Sequence, residues 1–167
     1  MQTEDEKTDC RLPQQFGIFG EYLVMFWLGQ TLGYSVAIVD HVGADIIASK
    51  ENCKRLAVSV KSRIFKKDDP GVIFSIKSNE KLRHFAKKFE CEPAVAFVFI
   101  DKTGIDIDVY LIELDIFEEL CEDEKQTCFS KCKDGLGITN ARTKQSALWN
   151  NEYIRHIRLK SESPLFR

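Results

Sequence analysis

Apolar residues along this chain change period several times, and the changes divide it into elements. Phe16, Phe19, Leu23, Phe26 and Trp27 recur at the spacing of one helix face, which predicts a helix over 15–32 ended by Gly33. Shorter apolar runs follow. Tyr34–Val39 reads as a strand, 40–44 as a turn around Gly43, and 45–49 and 55–61 as two strands joined by the polar turn Lys50–Lys54. Residues 62–71, with Lys66-Lys67-Asp68-Asp69-Pro70-Gly71, read as a polar loop, and Val72–Ile76 as a short strand or extended approach. Ser78 is a suitable N-cap for a helix reaching Phe89, with Leu82, Phe85, Ala86 and Phe89 as its apolar stripe. Pro93 introduces the unbroken apolar run Ala94–Ile100, Lys102-Thr103-Gly104 a turn, Ile107–Leu114 a partner strand and Asp115–Glu122 a helix. Beyond these, 135–140 reads as a loop or short strand, and 151–160 as a strand or a helix.

An unbroken apolar strand implies burial on both faces. The pattern therefore predicts an α/β fold, a central mixed β-sheet flanked by helices on both sides. Residues 1–14 read as a flexible N-terminal arm. Residues 15–167 read as a single domain, with its core over about 15–114 and a variable C-terminal part over 115–167.

Composition narrows the classes of function. The chain of 167 residues, 44% apolar and 30% charged, suits one globular domain. A formal net charge of −2 rules out a uniformly basic nucleic-acid binder, so phosphate contacts would be confined to local patches. No stretch has the length and apolarity of a membrane span, and Met1–Lys7 is too polar and acidic for a secretory signal, so no membrane partner and a cytoplasmic location are expected. The six cysteines lack paired C-x-x-C units and read as free thiols. There is no Gly-rich phosphate loop, no G-x-S-x-G and no H-E-x-x-H.

One constellation stands out. Lys61 ends an otherwise apolar strand, where a charge is costly unless paired. Alternation places Ala57, Ser59 and Lys61 on one face and Leu56, Val58 and Val60 on the other, which should pack on a helix. Asp45, at the start of the paired strand, is the natural partner of Lys61. Phosphodiester hydrolysis uses a divalent metal to polarise the phosphate and acidify a water, together with a cation near the reacting groups. Oxygen ligands at the end of a hairpin suit Mg²⁺ or Mn²⁺.

With these residues the chain resembles the PD-(D/E)XK nuclease superfamily, most nearly its archaeal Holliday-junction-resolvase branch and related restriction-endonuclease-like domains. The likeness runs through Gly20-Glu21-Tyr22-Leu23-Val24, Gly43-Ala44-Asp45-Ile46-Ile47 and Val58-Ser59-Val60-Lys61-Ser62. It continues through Phe74-Ser75-Ile76-Lys77, Leu82, Phe85-Ala86-Lys87-Lys88-Phe89 and Pro93-Ala94-Val95-Ala96-Phe97. The resemblance implies a Mg²⁺- or Mn²⁺-dependent DNA endonuclease. Asp45 would be the metal-ligating acid, Lys61 the motif lysine, the carbonyl of Val60 a metal ligand and Glu21 the acid on the first helix. Since many nucleases of this fold work as dimers, it also implies a homodimer.

Ser59 departs from the motif, which expects Glu, Asp or Gln there. In one branch of restriction enzymes the motif reads Ser-x-Lys and a following helix supplies the missing acid, a part that falls to Glu80. The other reading is a catalytically inactive nuclease-fold domain that binds nucleic acid or a protein partner. Beside a nuclease cleft, Arg63, Lys66, Lys67 and Lys81 are candidates for DNA phosphate contacts, although such runs also fit a solvated face.

Overall fold

The computed structural model describes residues 11–65, 71–101, 106–123, 125, 128–139 and 151–160. Helix α1 (Arg11–Phe26) passes into one wider turn, Trp27–Thr31, whose bonds span five residues. Gly33, at a φ of +71°, ends it in the left-handed conformation that glycine adopts without strain. Residues 11–14 of the expected N-terminal arm belong to helix α1, and residues 1–10 lie outside the described residues.

Three antiparallel strands follow: β1 (Ser35–His41), β2 (Ala44–Ser49) and β3 (Leu56–Phe65). Strand β3 runs further than the sequence suggests, because residues 62–65 continue its ladder with β5 (Glu92–Asp101) as far as Phe65 opposite Asp101. Part of the expected loop over 62–71 is therefore strand, and polar side chains were no obstacle once the backbone groups had partners. The β3–β5 pair is parallel and so needs a crossover. That crossover carries β4 (Val72–Ser75) and helix α2 (Ile76–Lys88).

Ser75, not Ser78, caps α2. It is extended (φ −63°, ψ 152°), and its hydroxyl accepts a hydrogen bond from the Ser78 backbone N–H at 3.2 Å. Strand β6 (Ile107–Glu113) pairs antiparallel with β5, and α3 (Leu114–Glu122) follows directly. The C-terminal part contributes β7 (Phe129–Cys132), β8 (Gly135–Ile138) and β9 (Arg155–Leu159). The sequence reading missed β7 and left β8 and β9 undecided.

The main sheet has the order β1-β2-β3-β5-β6-β9, and a three-stranded sheet has the order β4-β8-β7. The main sheet is mixed and has helices on both faces. On one face Val24, Trp27 and Leu28 from α1 and the turn after it pack over Ile46, Val58, Val60, Ala96 and Val98. On the other, Leu82 and Phe85 of α2, Phe117 of α3 and Phe74 and Leu136 of the small sheet pack over Ala57, Val95, Phe97 and Tyr110. Strand β5 is buried from Ala94 to Ile100, as its unbroken apolar run requires. No helix among the described residues is long and apolar enough to cross a membrane.

Candidate active site

Strands β2 and β3 bring Asp45, Ser59 and Lys61 together. Their register sets Ile46 opposite Val58 and Ile47 opposite Ala57. One step beyond, Asp45 meets Ser59 on the face away from α1. The Val60 N–H donates to Asp45 Oδ2 at 2.6 Å, and Ser59 Oγ donates to the same oxygen at 3.3 Å. Lys61 Nζ in turn donates to Ser59 Oγ at 3.1 Å. The half-buried lysine also lies 5.8 Å from the centroid of the Phe74 ring on β4, within cation–π range. Ser59 is only 5% exposed, so its hydroxyl has little access to water and spends its donor on the acid and its acceptor on the lysine.

Glu21 reaches this group from the opposite layer. Its neighbour Gly20 is buried against Ser62, the residue after Lys61. The Glu21 carboxyl is held above its ordinary pKa, first by burial and then by the negative charge of Asp45, while Lys61 pulls it back down. Two carboxylates and an ammonium thus share one electrostatic environment at the middle of β3, where Lys61 lies four residues before the last residue Phe65, and not at the strand end expected from the sequence.

No protein-family model matches the sequence, and neither does any curated protein. Among solved structures, a restriction endonuclease in complex with substrate DNA is 15% identical over 90% of this chain and 81% of its own, with a TM-score of 0.41. The Holliday junction resolvase of the archaeal hyperthermophile Archaeoglobus fulgidus is 18% identical over 75% of this chain and 84% of its own, with a TM-score of 0.51. The chain has a restriction-endonuclease-like fold.

Within that restriction-endonuclease-like fold, the donor set can be compared with the metal that such a fold implies. Among the described residues no three His, Cys, Asp or Glu side chains group as a metal site. The set that does converge, the carboxylates of Asp45 and Glu21 beside the Val60 backbone, is hard and oxygen-based. It fits Mg²⁺ or Mn²⁺ of the kind that keeps several waters and takes one or two carboxylates plus substrate phosphate oxygens. Burial first, and the charge of Asp45 second, raise the pKa of Glu21, and a divalent cation would offset both by favouring the ionised carboxylate.

The remaining sequence candidates are exposed or lie outside the described residues. Glu80, in the first turns of α2, is exposed and lines a cleft of about 330 Å³ with Phe74, Glu118, Glu122, Lys131 and Leu136. Asp45, Ser59 and Lys61 do not line that cleft. Moving the start of α2 back to Ile76 sets Glu80 one position beyond the first turn, so the cap position assumed from sequence misplaced it. Arg63 on β3 and Lys81 on α2 are exposed, while Lys66 and Lys67 lie outside the described residues. Sequence reasoning did not single out Phe74 as a wall of the site, and no local pattern signals it. Phe74 reaches Lys61 because β4 pairs with β8, with Phe74 opposite Leu136.

Proposed function

We propose that this chain is a divalent-metal-dependent endonuclease that hydrolyses DNA phosphodiester bonds. The observation that carries the reading is the chain of contacts from Asp45 through Ser59 to Lys61, with the Glu21 carboxyl responding to both charged ends. The Asp45 and Glu21 carboxylates and the Val60 carbonyl would hold Mg²⁺ or Mn²⁺. Such an ion, when bound, polarises a phosphate oxygen and lowers the pKa of a coordinated water. Lys61, aimed by Ser59 and by the face of Phe74, stabilises negative charge developing on the phosphate or orients the attacking water. Arg63 and Lys81 contact flanking phosphates in this reading, together with Lys66 and Lys67. Glu80, exposed in a cleft that Phe74 also lines, is a further candidate metal ligand in this reading. A second copy of the chain is a partner that light scattering can test.

Cleavage of a labelled panel of DNA structures with Mg²⁺ or Mn²⁺ tests the proposal. The wild type should cut, and Asp45→Ala and Lys61→Ala should each reduce cutting by at least about 10²-fold, the scale of removing a group that stabilises the transition state. A folded wild type that cuts no DNA of the panel overturns it.

The presence of serine in place of an acid favours a second reading, a nuclease-fold domain that binds DNA or protein without cutting. Ser59→Glu separates the two. A gain of cutting by a silent wild type marks a site that lost its acid, whereas an active wild type should gain little, because the new carboxylate would displace the hydroxyl between Asp45 and Lys61.

A further inference from the structure

Helix α1 crosses β3 unusually closely at Gly20. A methyl group on Gly20 would overlap Ser62 Oγ, and it would stand 3.1 Å from Ser62 Cβ and 3.5 Å from Val98 Cγ2. Gly20 has an ordinary helical place in α1, so the glycine is required by this approach and not by its backbone angles. On the strand side, Ser62 Oγ is buried without a hydrogen-bond partner among the described residues, a costly state for a hydroxyl. A glycine that costs helix stability thus faces a serine whose hydroxyl is unsatisfied. Neither choice improves packing by itself, since alanine facing alanine would be the better pair at an ordinary helix–sheet distance. What the pair secures is depth.

The pair is flanked in sequence by Glu21, directly after Gly20, and Lys61, directly before Ser62, so the depth of this crossing sets how far Glu21 reaches toward Asp45 and Lys61. The half-buried Glu21 carboxyl lies within electrostatic reach of both Asp45 and Lys61. We infer that Gly20 and Ser62 form a seat that positions the Glu21 carboxylate at the metal site. They are positioning residues and touch neither substrate nor metal. The inference rests on the reading that Glu21 serves a divalent cation, and the experiment separates the two.

Mn²⁺ binding to the full chain, without DNA, is titrated by calorimetry for the wild type, Glu21→Gln, Gly20→Ala and the double variant Gly20→Ala with Ser62→Gly, with circular dichroism confirming the fold. Glu21→Gln should bind Mn²⁺ more weakly. Gly20→Ala should lose about tenfold in affinity, the lower end of what supporting residues contribute to metal sites. The double variant removes both Ser62 atoms nearest the new methyl group, and should recover affinity close to wild type. If Gly20→Ala does not fold, Ser62→Cys carries the test with the same expected loss, since sulfur is larger than the oxygen it replaces.

Wild-type affinity in a folded Gly20→Ala protein, beside a weakened Glu21→Gln, overturns the seat and leaves the proposed metal site standing. Failure of the double variant to recover also overturns it. Undiminished Mn²⁺ binding by Glu21→Gln, or no binding by the wild type, overturns the role of Glu21 and the seat with it.

Discussion

Ser59 stands between an acid and a lysine, and its hydroxyl serves both. A carboxylate there would pair with Lys61 directly and repel Asp45, so the serine keeps the two charges at their places without adding a third. Glu21 carries the electrostatic cost of the group. Its carboxyl holds a proton more tightly in the folded protein than its ordinary pKa of 4.5 implies, mainly through burial and then through Asp45. The native state therefore binds more protons than the unfolded chain between the ordinary and the raised pKa, and stability falls as pH rises through that window. Glu21→Gln removes the penalty. In a chelator, the variant should melt above the wild type at neutral pH, with the gap closing below about pH 4.5. Thermal melts across pH check it, and a variant that melts below the wild type at neutral pH would contradict the assignment.

At the scale of elements, the β2–β3 hairpin was legible because alternation is local. Ala57, Ser59 and Lys61 on one face and Val58 and Val60 on the other follow from the sequence alone, and α1 covers the second set as that reading requires. The start of α2 was not, since Ser75 and Ser78 both suit a cap and the exposed Ile76 between them gives no direction. Long-range pairing decides it, because Ser75 is held extended by its ladder to Gly135 on β8. Ser75→Ala should cost about 1 kcal/mol in urea unfolding, and Ser78→Ala clearly less, since the Ser78 backbone donor remains. The short strands β7 and β8 carry too few residues to show a period. Strand β9, written Arg-His-Ile-Arg-Leu, becomes a strand only through its register with β6.

The whole molecule is held together at its edges by interactions no local pattern contains. Arg158 on β9 clamps Asp108 on β6 with two bonds, Nε to Oδ1 at 2.5 Å and Nη2 to Oδ2 at 2.9 Å. Asp108 is 7% exposed and the Arg158 side chain 21% exposed, so removing the acid takes two charge-assisted hydrogen bonds from a half-buried guanidinium. Asp108→Ala should lower stability by about 2 kcal/mol in denaturant titration, the scale of losing hydrogen bonds to a charged group. The same substitution should leave Mn²⁺ affinity unchanged, because β9 lies at the sheet edge away from β2. Fold class was readable because the buried strand β5 forces a two-sided sheet. The division into two sheets was not, because it depends on β4 leaving the main sheet to pair with β8.

That pairing also orders events in time. Asp45 and Lys61 belong to neighbouring strands of one hairpin, and their contacts are near in sequence, so they can form early on a growing chain. The ring that walls Lys61 is held by a partner strand far downstream, Phe74 by Leu136. During synthesis the ribosome releases the hairpin well before it makes β8. Synthesis order therefore lets the lysine and its acid meet before the strand that holds the aromatic wall has been made.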